Sequence, residues 1–248
     1  MDHDNTDIQL PIDPWLIGFL LGDGSFRNNH LGFSTADDEL VQKVKSKLDS
    51  DYTVKHISNY DYAIKFATDE IKRKSHSNNM CNKIRNESGH ILAGQTTSSN
   101  KYIKYLIDIG LMETYSHTKF IPEIYFSSSK AQRLELIRGL VDSDGTIDKG
   151  SIYFTSTSHQ LAKDFQRLVH SIGGIAKLKK STNRTYGYQG VRVPCKNVYT
   201  VSTKYPTPWE LVSLTRKKDK TGYAYQYGNT LKLNIKSINN VSTEEVPF

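Results

Sequence analysis

The chain has 248 residues, 37% of them apolar and 24% charged, a balance that supports a packed core and excludes wholesale disorder. Its longest apolar run, Trp15 to Leu21, is far shorter than the roughly 20 residues a membrane helix needs, and Met1-Asp2-His3-Asp4 lacks the basic-then-apolar start of a secretory signal. A net charge of +7 points to a polyanionic partner, while two cysteines outside any CxxC pair, Cys81 and Cys195, argue against a thiolate zinc site and fit a reducing intracellular setting, cytoplasmic or nuclear.

In chain order, an apolar helix through Leu16–Leu21 ends at Gly24. A hairpin follows, Ser25–Arg27 with Leu31–Thr35, and then an amphipathic helix carrying Leu40, Val44 and Leu48. The next strand pair is Tyr52–Ile57 with Tyr62–Thr68. Residues 72–100 are polar and read as a linker; Ile103, Leu106 and Ile107 mark a further helix that stops near Gly110. The pattern then starts again. An apolar helix through Val141 ends at Gly145, and a hairpin follows, Thr146–Asp148 with Ser151–Ser156. Leu161, Phe165 and Val169 define an amphipathic helix, with Thr157 and Gln160 at capping-box spacing. The last strands are Ile175–Lys180 and Val198–Thr203. Between them, residues 182–197 read as a loop in which Arg184, Tyr186, Tyr188, Arg192 and Lys196 interleave aromatic and basic groups, a composition suited to DNA.

The chain is therefore an internal repeat. Gly18 pairs with Gly139, Asp23 with Asp144 and Gly24 with Gly145, all at an offset of 121 residues. Phe33 and Phe154, Ser34 and Thr155, and Leu40 and Leu161 keep that offset without a gap. Residues 1–125 form one half, 126–225 the other, and 226–248 a tail.

Each repeated helix carries small residues four apart, Gly18 with Gly22 and Gly139 with Ser143. Such a stripe lets two backbones approach closely, so the two helices are expected to pack on each other. Asp23 and Asp144 then emerge side by side, with Gly24 and Gly145 expected in the left-handed conformation that stops a helix. Two carboxylates beside two negative helix ends are electrostatically unfavourable unless divalent cations lie between them. Hard oxygen ligands suit Mg²⁺ or Mn²⁺, here two or three ions shared between the acids and DNA phosphates, with the Gly22 and Ser143 positions adding ligands.

The segments Gly18-Phe19-Leu20-Leu21-Gly22-Asp23-Gly24 and Gly139-Leu140-Val141-Asp142-Ser143-Asp144-Gly145 resemble the paired signature of the LAGLIDADG homing endonucleases. The first departs from the pattern with Leu21 in place of an acid and Gly22 in place of Ala. The likeness covers about residues 13–220 and is greatest to endonuclease domains embedded in inteins. There a Lys ahead of an Ile-Pro pair reaches the active site, a role that falls on Lys119 in His117-Thr118-Lys119-Phe120-Ile121-Pro122. The matching basic block is Arg216-Lys217-Lys218, with Lys218 preferred and Lys217 the alternative. The residues from Ile235 to Phe248 resemble the return to a splicing domain, although no splicing apparatus is visible.

The resemblance implies an α+β fold: two pseudo-symmetric αββαββα halves, motif helices packed at the centre, and two curved antiparallel sheets forming a DNA-binding saddle. It implies a monomer, with no membrane association, that breaks both strands of one long double-stranded DNA site. A strand ribbon fits the major groove, and alternate side chains reach the bases. On these grounds Arg27, Asn28, Asn29, Lys55, Lys65, Lys149, Tyr153, Lys177 and Lys179 are candidate DNA contacts, with Arg184, Tyr188 and Arg192 on the 182–197 segment. A one-residue register error would turn each strand residue to the other face. An RNA-binding intron maturase or a cleavage-deficient DNA-binding protein on the same fold are the competing readings. Neither needs both Asp23 and Asp144. A nucleotide-cofactor enzyme is excluded for want of a GxGxxG or P-loop pattern.

Overall fold

A computed structural model describes residues 6–28, 30–81, 100–148, 150–182, 185–188 and 191–221, with the side chains of 76–81 and 186–188 outside the description. The architecture is α+β, with two four-stranded antiparallel sheets of the same topology. In the first half, helix α1 (Pro14–Asp23) leads into strands β1 (Gly24–Arg27) and β2 (His30–Ser34), then α2 (Asp38–Ser46), β3 (Tyr52–Ser58) and β4 (Asp61–Phe66). Helices α3 (Asp69–Cys81) and α4 (Lys101–Asp108) follow. The second half repeats the order with α5 (Lys130–Asp144), β5 (Gly145–Asp148), β6 (Ser151–Ser156), α6 (His159–Ser171) and β7 (Ile175–Ser181). A ribbon of β8 (Thr185–Tyr188) and β9 (Val191–Pro194) is inserted before β10 (Val198–Lys204), and the short helix α7 (Thr215–Lys218) runs into a 3₁₀ turn, Asp219–Thr221, that ends the described chain. The sheet orders β1-β2-β4-β3 and β5-β6-β10-β7 superpose once the inserted ribbon is set aside.

Helices α1 and α5 pack along their stripes of small residues. A Cβ on Gly18 would lie 2.3 Å from the Leu136 carbonyl oxygen, and one on Gly139 would lie 2.1 Å from that of Trp15. Both distances are below any tolerable contact, so the backbones themselves touch. Around this contact Trp15, Leu16, Ile17, Phe19, Leu20, Leu136, Ile137 and Leu140 are fully buried. The amphipathic helices α2 and α6 turn Leu40 and Val44, and Leu161, Phe165 and Val169, into the core.

Several local expectations are corrected. Gly24 and Gly145 are extended, with φ of −78° and −84°, not left-handed. Glycine is needed because a Cβ would sit 2.3 Å from the Leu20 oxygen and 2.5 Å from the Val141 oxygen. The cap of α6 is Ser158, whose hydroxyl accepts from the Leu161 N–H at 3.1 Å, not Thr157. The polar linker begins as helix α3, and the 182–197 loop contains the β8–β9 ribbon. In both, polar side chains concealed backbone pairing that solvent-exposed elements can make without an apolar stripe.

Candidate active site

The last turns of α1 and α5 bring Asp23 and Asp144 together at one end of the helix interface. A Cβ on Gly22 of one motif would lie 3.4 Å from the Asp144 Oδ2 of the other. Burial pushes the Asp23 carboxyl up to about 6, and the Asp144 charge pushes it the same way, against the pull of Lys119 and Lys217. Asp144 is likewise raised by burial, with Lys119 and Lys217 opposing. Asp144 opens onto a cleft of about 360 Å³ that runs past Gly22, Ser116, Thr155 and Thr157 toward the second sheet.

Each acid has a buried lysine beside it. Lys119 is 3% exposed, and its Nζ donates to the carbonyl oxygens of Leu20 at 3.1 Å, Gly22 at 3.3 Å and Gly24 at 2.7 Å. Lys217 is 7% exposed and donates to Val141 at 2.5 Å, Asp142 at 2.8 Å and Gly145 at 2.8 Å, with Ser143 at 3.5 Å. Leu20, Gly22 and Gly24 correspond to Val141, Ser143 and Gly145 in the repeat, so the two sites are copies. The chemistry follows from helix ends: the last carbonyls have no partner within the helix and carry its negative pole. An ammonium with three N–H groups satisfies three of them and adds the compensating charge. Burial lowers both lysines to about 8, against the neighbouring acids, which favour the charged form.

The choice in the basic block therefore falls on Lys217. Lys218 is exposed, because the turn that starts at Thr215 presents only Lys217 inward. The Gly22 and Ser143 carbonyls, expected to face metal, receive bonds from the two lysines, and the Ser143 hydroxyl donates back to Gly139 and Leu140 at 3.0 Å each. Among the described residues no three His, Cys, Asp or Glu side chains gather around one point. The centre thus offers one buried, charge-strained carboxylate per half. That donor set fits a hard divalent cation whose remaining ligands come from outside the chain.

Strand register places the candidate DNA residues. Ser25, Gly32, Ala63 and Lys55 lie in one row across the first sheet, and Thr53 pairs with Lys65, so Arg27, Lys55 and Lys65 share the face away from the core. In the second sheet Thr146, Tyr153, Ser202 and Lys177 form a row, with Thr155, Thr200 and Lys179 beside it, so Tyr153, Lys177 and Lys179 also share one face. Arg27 stacks over the Tyr115 ring at 5.3 Å, Asn28 takes the positive φ of 56° in the β1–β2 turn, and Arg192 is exposed on the ribbon. Asn29, Lys149 and Arg184 lie outside the described residues, as does the side chain of Tyr188.

Asp142 was not singled out, yet it is 1% exposed and the most densely bonded acid at the interface. It accepts from Trp15 Nε1 at 2.8 Å, from the Ser213 N–H at 2.9 Å and hydroxyl, and from the Leu214 N–H at 3.3 Å, with Lys43 Nζ at 3.8 Å. The mismatch of Asp142 with Leu21 between the copies was the available signal.

Fold and site together define a duplicated α+β protein with a paired acid–lysine centre at the contact between its repeats. Residues 131–205, within the second repeat, match the family described as LAGLIDADG-like domain. A curated relative, the replicative DNA helicase DnaB of Mycobacterium intracellulare, is 40% identical over 70 residues; the match spans 28% of this chain and 12% of that protein. Among solved structures, the homing endonuclease I-DmoI in complex with DNA and Ca is similar over 84% of this chain and 95% of that chain, at 10% identity and a TM-score of 0.45. The meganuclease I-SmaMI bound to uncleaveable DNA is similar over 89% of each chain, at 12% identity and a TM-score of 0.38.

Proposed function

We propose that this protein is a site-specific homing endonuclease that makes a double-strand break in a long DNA target by metal-dependent phosphodiester hydrolysis. The observation that carries the reading is the duplicated centre: two buried acids from two packed motif helices, each with a lysine on the adjacent carbonyls. A chain that only held nucleic acid would have no use for two carboxylates raised by burial at its centre.

In this reading Asp23 and Asp144 hold Mg²⁺ or Mn²⁺, in two or three ions shared with DNA phosphates. A bound divalent cation supplies a more acidic water and stabilises charge on the phosphate. Lys119 and Lys217, their N–H groups already engaged by carbonyls, contribute a fixed positive field near each scissile phosphate. Arg27, Lys55, Lys65, Tyr153, Lys177 and Lys179, on the outward sheet faces, contact the DNA. The chain acts as an intracellular monomer, because both motifs are present in one polypeptide. Its relation to inteins is proposed on the segment from His117 to Pro122; the tail that shared that likeness lies outside the described residues.

The test uses Asp23→Asn and Asp144→Asn with a DNA duplex selected from a random library by binding to the full chain. The intact protein is expected to cut it only with Mg²⁺ or Mn²⁺, and each variant to bind but make no double-strand break. Tight DNA binding without cutting under any divalent metal would establish a cleavage-deficient binder, and stronger binding to a structured RNA would establish the maturase.

A further inference from the structure

Each catalytic lysine is carried on a segment that the opposite half of the molecule grips. The Lys119 side chain caps the motif helix of the first half, but its backbone is held by the second. The Lys119 carbonyl accepts from the Ser158 hydroxyl at 2.6 Å, and the Ile121 N–H donates to Asp164 Oδ2 at 2.9 Å. Ser158 and Asp164 are 1% and 6% exposed and both belong to α6 or its cap. Two residues further on, Glu123 makes a two-point pair with Arg167 of the same helix, at 2.8 and 2.6 Å.

Lys217 reverses the relation. Its side chain caps the motif helix of the second half, while α2 of the first half holds its segment. The Thr215 N–H and hydroxyl donate to Glu39 at 3.3 Å each, and Arg216 Nε donates to Asp37 Oδ2 at 2.8 Å. Asp37 and Glu39 stand at the repeat positions of Ser158 and Gln160, one helix turn before Lys43 and Asp164. The same face of the same repeated helix therefore grips the other copy's lysine, with different chemistry each time.

We propose, on the basis of the nuclease reading above, that Asp164 with Ser158 and Glu39 with Asp37 are positioning residues: each pair places the lysine of the cutting centre in the opposite half, so that the two centres can be weakened one strand at a time. The geometry supports a directional effect. Loosening 119–121 displaces an ammonium from the α1 carbonyls and leaves the α5 site intact. Loosening 215–216 does the converse. A misplacement on the order of 1 Å at a reacting centre costs roughly 100-fold in rate.

The experiment uses the full chain and the library-selected duplex with its two strands differently labelled. Lys119→Met and Lys217→Met identify the strand each lysine serves. Asp164→Ala is expected to slow the Lys119 strand roughly 10- to 100-fold relative to the other, with Asp164→Asn, which keeps an acceptor for the Ile121 N–H, restoring balanced cutting. Asp37→Ser combined with Glu39→Ala is expected to slow the Lys217 strand instead, the serine preserving the α2 cap. Lysine-ammonium NMR gives a second readout that needs no cleavage: the Lys119 signal should lose its protection from exchange in the first variant and keep it in the second, and the Lys217 signal should do the reverse. Equal slowing of both strands, or loss of both ammonium signals together, would mean general destabilisation and overturn the proposal. An intact chain that cuts neither strand overturns the nuclease reading, and the NMR pattern then decides whether the grip exists.

Discussion

At the residue scale, Asp23 is held at a cost in stability. Its carboxyl is pushed to about 6 in the folded chain, against 3.8 for the free group, mainly by burial. The folded state therefore favours the protonated form. The cost of burying this one carboxyl is absent below about pH 4, grows as pH rises through the window from about 4 to 6, and is fully present above it. Asp23→Asn removes the charge and keeps the shape. Without divalent metal it is expected to raise the unfolding free energy at pH 7 by about 1–2 kcal/mol, a figure that discounts the side chain's partial exposure, and to change it little at pH 3.5. Urea unfolding at the two pH values checks this; an equal effect at both would remove ionisation as the cause. Asp142, two residues before Asp144, is the counter-case. Its buried carboxylate accepts from Trp15, Ser213 and Leu214, the partners a buried polar group requires.

At the element scale, the α1–α5 contact is the joint on which the centre depends. The Gly139 position leaves 2.1 Å between a would-be Cβ and the Trp15 oxygen, with the Phe19 nitrogen at 2.7 Å, and both partners are backbone that cannot rotate away. Gly139→Ala is expected to cost about 3 kcal/mol or more of stability, the upper end for overpacking. Gly173→Ala provides the control. It has a φ of +89° but nothing within 4 Å, so only backbone strain of about 1 kcal/mol is expected. Denaturant titration of the two variants separates close approach from conformational freedom. The inserted β8–β9 ribbon belongs to this scale too: it lengthens the second half without disturbing the β7–β10 pairing, which runs from Val198–Ser181 to Lys204–Ile175.

For the molecule as a whole, the net charge of +7 is an average over faces that differ. Lys55 and Lys65 stand on the outward face of one sheet, and Lys177 and Lys179 on that of the other. If these lysines neutralise phosphates, DNA affinity falls steeply with salt, and each lost contact flattens the slope of log K against log salt by about 1. Lys177→Ala with Lys179→Ala is accordingly expected to reduce that slope by about 2, measured by fluorescence anisotropy on the selected duplex between low and physiological salt. An unchanged slope would place the DNA elsewhere. Among the described residues no helix is long and apolar enough to cross a membrane.

The sequence by itself determined the duplication, the motif helices, the two acids and the α+β class, because those features are written in period and spacing: small residues four apart, an acid before a glycine, and apolar residues every fourth position. Lys119, ahead of Ile121-Pro122, is singled out by the family resemblance and not by period or spacing. Tertiary structure alone decided between Lys217 and Lys218. Two adjacent lysines are equivalent in composition, and only the docking of α7 against α5 says which ammonium meets the carbonyls. The same holds for the faces of Arg27, Lys55, Tyr153 and Lys177, which depend on strand register, set within hairpins for the first two and through the distant strand β10 for the others. It holds again for Asp142, Asp164 and Ser158, whose partners lie 71, 43 and 39 residues away. Hydrogen bonds across such separations have no periodic signature, and they exist only once distant segments have folded together.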